Sequence, residues 1–168
     1  MRGTRVVLAV AAALALQTTL ARYVRGTVAL DLVLVVVVYV ALTSGPVAGL
    51  LTGTFAGLIQ DALATGVIGI GGLAKTLVGF LAGIIGTQFI VAQPLPRFFV
   101  FFGATLLHAT VFIGLYTLLD LRHFGAPYAA VAGQAAGNAA VGVVAFQLVE
   151  LLPGAVERRR AAKSRIRR

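Results

Sequence analysis

Gly45, Gly49, Gly53, Gly57 and Asp61 recur at strict intervals of four in the stretch GPVAGLLTGTFAGLIQDALATG, which is otherwise almost wholly apolar. On an α-helix this spacing draws one ridge that drifts by about 40° per step. Small residues on such a ridge let two helix backbones approach closely. In lipid, where hydrophobic force between helices is nearly absent, that approach drives association, and it suits right-handed crossings near −40°. A carboxylate at the end of the same ridge is costly in a bilayer and calls for a partner or a function. A second set of small residues, Gly79, Gly83 and Thr87, has Gly86 beside it, and a third lies at Gly133 and Gly137. Packing within the chain and packing against another membrane protein are both open for these ridges.

Composition supports the membrane reading. Of 168 residues 60% are hydrophobic and only 11% charged, where a soluble domain is closer to a quarter charged. Mean hydropathy is +1.00. No soluble surface can be built from this inventory. Cysteine is absent, which excludes disulfides and thiolate-ligated metals. Tryptophan is absent too, so tyrosine must serve any aromatic belt.

A helix needs about 20 residues to cross a bilayer. Six runs are candidates: Val6–Leu20, Val28–Leu42, Val47–Ala64, Leu73–Ala92, Phe98–Leu119 and Tyr128–Leu152. The connections are short, so residues 1–157 form one transmembrane bundle and 158–168 a basic tail. Val28–Leu42 contains LVLVVVVYV. It lacks the alternation of a barrel strand, and in lipid a helix bonds every backbone group within the segment. The first run also has signal-peptide features, a basic start and small residues near Leu20–Ala21. No clean cleavage site precedes a polar start, and retention as a first helix is expected.

Net charge is +9, and seven of the fourteen basic residues lie in 158–168. Their position points to a cytoplasmic tail near anionic lipid, not to nucleic acid. With six spans both termini share one side. That side holds Arg2, Arg5, Arg97 and the tail, and the other holds Arg22, Arg25 and Arg122. The imbalance predicts cytoplasmic termini.

Six polar residues inside the spans stand out as candidates: Asp31, Asp61, Lys75, His108, Gln134 and Asn138. In a hairpin of the third and fourth runs, Asp61 and Lys75 fall at similar depth, and an ion pair between them is expected. Asp31 opens the second run, where a helix dipole favours it, with Arg22 or Arg25 as partner. His108 stands mid-span, with Gln134 and Asn138 sharing one face of the last run as its hydrogen-bonding candidates. No histidine or carboxylate lies at helical spacing to His108, so no metal site is predicted. Ser44 and Ser164 have no histidine partner, and GIGG lacks the lysine and strand context of a phosphate loop. No catalytic residue and no cofactor are expected. Glu150 and Glu157, beside Pro153, read as solvated or tail-pairing charges.

Residues 31–83 resemble the rod-shape-determining protein family MreD. The elements are Asp31 opening an apolar helix, the Gly45-Pro46 turn and the glycine-spaced helix ending in Asp61. Gly66, Gly69 and the segment Leu77-Val78-Gly79-Phe80-Leu81-Ala82-Gly83 follow. Leu30 stands where the family often has proline, and Phe80 where it often has tyrosine. The resemblance implies an all-α, six-helix bundle in the bacterial cytoplasmic membrane, similar to the substrate-binding subunits of energy-coupling-factor transporters. It also implies a non-enzymatic scaffold of the cell-elongation complex. MreC would be the first partner, with RodA, a class B penicillin-binding transpeptidase and the MreB filament nearby. The glycines Gly45, Gly49, Gly53, Gly57, Gly79 and Gly83 would then form packing or partner interfaces. The alternative is a vitamin-like substrate-binding subunit of a transporter, which would need a cavity lined by convergent polar groups.

Overall fold

The computed structural model describes residues 2–23, 30–64, 66–88, 93–122, 124–125 and 127–166. Among them are six helices and no strand: α1 (Arg2–Tyr23), α2 (Leu32–Ser44), α3 (Pro46–Leu63), α4 (Ile70–Gln88), α5 (Pro94–Leu118) and α6 (Tyr128–Ile166). Three are long and apolar enough to cross a membrane: α4, α5 and the Tyr128–Leu151 part of α6. Gly3–Thr19 and Leu32–Ser44 are shorter apolar helices. The chain is a multi-pass helical membrane protein.

The short α2 is the axis of the bundle. Leu32, Val33, Leu34, Val35, Val37, Val38, Val40 and Ala41 are all buried. A helix that is apolar on every face must be covered on every face, and here the covering is protein: α1, α3, α4, α5 and α6 all touch it. Of the run predicted from residue 28, the described part is helical from Leu32, and residues 28–29 lie outside the described residues. The Asp31 carboxylate accepts the backbone N–H of Leu34 at 2.9 Å and caps that end. At the other end Gly45, at φ +89°, closes α2 and opens α3. Pro46 takes the first turn of α3, where its missing N–H is no loss.

The glycine ridge packs against α4, and the approach is backbone to backbone. A methyl on Gly49 would strike the Gly79 carbonyl, one on Gly53 the Lys75 carbonyl, and one on Gly57 the Gly72 Cα. The second set answers it: Gly79 meets Gly49, Gly83 meets Pro46 and Gly86 meets Leu42. The third set serves a looser contact, with Gly137 facing the Leu30 side chain. Gly45 contributes its backbone angle, and its carbonyl carbon also lies under Gly83.

Phe101, Ala104, Ala139 and Phe146 close α5 and α6 over the α2 core. On the opposite flank α1 lays Val10 and Ala13 against α2, and Val7, Leu8 and Leu16 remain exposed. The last helix passes beyond the expected end near Pro153 and continues to Ile166. A proline inside a helix removes one backbone bond, which is fewer than an uncapped helix end leaves open.

Candidate functional site

The ends of five helices meet at one end of the bundle. They are the starts of α2, α4 and α6, the last turn of α3, and the stretch of α5 from His108 onward. Alternating helix direction brings these segments to similar depth. A cavity of ≈ 370 Å³ opens among them, lined by Gln17 of α1 and by Asp31, Gln60, Asp61, Lys75, His108 and Gln134 together with apolar residues.

Its inner wall is a connected polar network. The Lys75 ammonium meets the second Asp31 carboxylate oxygen at 2.7 Å. The same ammonium lies 3.1 Å from His108 Nε2. An ammonium has only donors, so Nε2 accepts and the proton of a neutral ring sits on Nδ1. The Asp31 backbone N–H donates to Asn138 Oδ1 at 3.0 Å. Asn138 Nδ2 donates to the Thr105 hydroxyl at 3.3 Å, and that hydroxyl donates to the Phe101 carbonyl at 2.9 Å. The chain of contacts begins and ends on α5, because His108 and Thr105 are three residues apart. It ties α2, α4, α5 and α6 into one ring.

Every member of the network is buried: Asp31, Lys75, Thr105, His108 and Asn138. A charge taken out of water is tolerable only when it is paired and its remaining hydrogen-bonding positions are filled. That condition explains the crowding. Asp31 receives an ammonium and a backbone N–H, and it stands at the positive end of α2.

Asp61 does different work from that expected of it. Its Oδ2 accepts the backbone N–H groups of Gly69, at 2.9 Å, and Gly72, at 3.0 Å. It therefore caps the start of α4 and closes the glycine-rich turn. A methyl on Gly71 would press on the Asp61 carboxylate and displace it from this cap. The expected Asp61–Lys75 pair does not form; Lys75 pairs with Asp31. The reason is depth. The Lys75 backbone lies against Gly53, eight residues or roughly 12 Å of helix below Asp61. From there its side chain faces the α2 core.

The Asp31 partners anticipated at Arg22 and Arg25 lie outside the described side chains. His108 bonds to Lys75 rather than to Asn138, whose amide is used by Asp31 and Thr105. Gln134 lines the cavity one turn from Asn138. Sequence reasoning missed Thr105, although it sits three residues before His108. It also missed Gln17, whose Oε1 accepts the Val33 N–H at 3.3 Å, and Gln60.

A second charged pair sits at the opposite end. The Arg97 guanidinium donates to both carboxylate oxygens of Glu150, at 3.0 and 2.5 Å. It also lies 4.4 Å from the Phe146 ring centroid. Glu150 thus pairs with a residue on α5, while remaining 55% exposed; the side chains of the tail lie outside the described ones.

The model of the family described as rod shape-determining protein MreD matches residues 3–152. The chain belongs to the MreD family. The matched range holds the entire polar network, the glycine seam between α3 and α4 and the Arg97–Glu150 pair. Comparison with curated proteins finds no match, and comparison with solved structures finds none either. Membership implies a role in rod-shape determination. Among the described residues no group of histidines and acids could hold a metal ion.

Proposed function

We propose that this MreD-family chain is a non-enzymatic scaffold of the bacterial cell-elongation complex that docks MreC through membrane helices. RodA and the class B transpeptidase are its further neighbours. Six crossings would place both termini in the cytoplasm, with the basic end of α6 near anionic lipid and the MreB filament. The observation that carries the reading is the contrast between the inner and outer faces of α3. The glycine face is filled by α4, so it offers a partner nothing. The outer face exposes Val47, Leu51, Phe55, Ile59 and Leu63. Beside it α1 stands away from α3, leaving an apolar cleft of ≈ 610 Å³ lined by Val6, Val10, Leu51, Phe55 and Ile59. A single membrane helix of a partner suits such a cleft, because packing of side chains is the main attraction available in lipid.

Phe55→Cys and Leu51→Cys test this directly. The described chain has no free cysteine, so a crosslink to a cysteine series along the MreC membrane helix reports one geometry. The expected result is a crosslink repeating every three to four MreC residues, and reduced co-purification with Phe55→Asn. Absence of crosslinks at both positions, with co-purification unchanged, would refute α3 as the docking face. A second reading, a small-molecule-binding subunit, draws on the polar cavity.

A further inference from the structure

One residue before each packed glycine of α3 stands another small side chain: Ala48, Thr52 and Ala56, again at intervals of four. Successive residues lie about 100° apart around a helix. This ridge therefore looks away from the α4 seam, and all three residues line the apolar cleft of ≈ 610 Å³ between α3 and α1. Small residues at this spacing let another backbone come close. Among the lining residues only Ser44, at the end of α2, and Thr52 carry a polar side chain.

Thr52 breaks a pattern. A threonine inside a helix commonly turns its hydroxyl back to the carbonyl four residues earlier. Thr43, Thr54, Thr105, Thr110 and Thr117 all do so here. The Thr52 hydroxyl makes no hydrogen bond among the described residues. The residue is only 9% exposed, yet its oxygen is not sealed. Gln60 Oε1 is the one enclosed side-chain atom without a partner among the described residues, which leaves the Thr52 oxygen open to the cleft that it lines. An unpaired hydroxyl in apolar surroundings is costly, and in a membrane a neighbouring helix can supply its partner.

We propose that the helix seated in this cleft carries a hydrogen-bonding side chain, of the serine, threonine, asparagine or glutamine type, opposite Thr52. Small residues flank that side chain one turn above and below, where Ala48 and Ala56 bring the two backbones together. The proposal rests on the docking of a partner helix beside α3 and adds its register. Packing of apolar side chains leaves such a helix free to slide along the cleft, and one hydrogen bond between helices fixes its depth.

Thr54, two residues further on, is the internal control. Its hydroxyl donates to the Leu50 carbonyl at 2.9 Å and lies 2.8 Å from the Thr76 hydroxyl of α4. Its hydrogen-bonding capacity is spent within the chain. Thr54→Val should therefore lower the unfolding midpoint and leave docking alone. Thr52→Val should weaken docking and leave the midpoint of the chain by itself unchanged.

The test uses the full chain and full-length MreC of the same bacterium, purified and mixed in detergent micelles, with energy transfer between fluorescent labels as the measure of affinity. Disulfide crosslinks from Leu51→Cys and Phe55→Cys first identify the MreC residue opposite Thr52. Thr52→Val should weaken association about threefold, the average worth of a hydrogen bond between membrane helices. An isosteric apolar change of the MreC residue should weaken it equally, and the two changes together no further. Ala48→Leu, which blocks the close approach and leaves the hydroxyl, should also weaken it. Crosslinks that persist with an apolar MreC residue opposite Thr52, with unchanged affinity in Thr52→Val, or with strictly additive losses would overturn this contact and leave helix docking standing. Crosslinks that fail to form with MreC, or that join two copies of this chain, would overturn the docking and the contact with it. A lowered midpoint of Thr52→Val in the absence of MreC would place the hydroxyl's work inside the chain, and would overturn the proposal as well.

Discussion

The two ion pairs of this bundle use similar chemistry in opposite surroundings. At one end Lys75 and Asp31 have side-chain exposures of 4% and 8%. At the other, Arg97 is 5% exposed and Glu150 is 55%. In the first pair both charges depend on each other, since each has only a small edge on the cavity and is otherwise enclosed. In the second only the arginine is enclosed, and its carboxylate partner can hydrate when released. The first pair is therefore a condition of folding around α2, and the second is an adjustable clasp between α5 and α6. The lesson is that the number of charges says less than how many of them have an alternative.

The largest effect should come from Lys75→Met, which strands the Asp31 carboxylate in the core. A loss of about 3–5 kcal/mol is expected, read as a collapse of the unfolding midpoint in detergent. Adding Asp31→Asn to it should recover much of that loss, because removing both charges is far milder than removing one. If the double variant is no better than the single, the pair is not the reason for the burial.

Gly53→Ala should follow, at roughly 3 kcal/mol, the upper end of overpacking effects. The new methyl would push on the Lys75 carbonyl, so the backbone must move and the ion pair with it. Combining Gly53→Ala with Lys75→Met should therefore give less than the sum of the two, and strict additivity would show the seam and the pair to be independent.

Asn138→Ala comes next. It leaves the buried Asp31 N–H without an acceptor, a loss of roughly 1–3 kcal/mol. Hydrogen exchange should show early opening at the start of α2, and a uniform change along the helix would contradict the ring of contacts.

The smallest effects belong to the clasp. Arg97→Met should lose roughly 1 kcal/mol, mainly the contact with the Phe146 ring. Glu150→Gln should lower the unfolding midpoint by a similarly small step, since the enclosed Arg97 keeps a glutamine oxygen as acceptor but loses the charge opposite it. A drop for Glu150→Gln as large as that for Lys75→Met would erase the distinction between the two ends.

Much of this architecture was legible in one dimension. The intervals of four at Gly49, Gly53 and Gly57, and again at Gly79 and Gly83, specify faces where only backbone can lie. The family resemblance read from residues 31–83 holds over residues 3–152. The polar site was legible as an inventory and not as a wiring. Asp31, Lys75, His108 and Asn138 all stood out as charges or amides in apolar runs, but their pairing was misread. Asp61 and Lys75 look like neighbours across a tight turn, and proximity in sequence favoured them. Gln60 and Thr105 carried no signal beyond polarity near the end or middle of a helix.

The sequence by itself determined a membrane bundle, its close-packed seam and the set of side chains that could not be left alone in lipid. These follow from local composition and helical period, which each segment carries without its neighbours. Only the tertiary structure decided that the valine run is the central axis, that Lys75 belongs to Asp31, and that Asp61 caps a helix instead. Those outcomes depend on depth and direction across several helices, and a buried charge selects its mate by the three-dimensional distance that packing leaves.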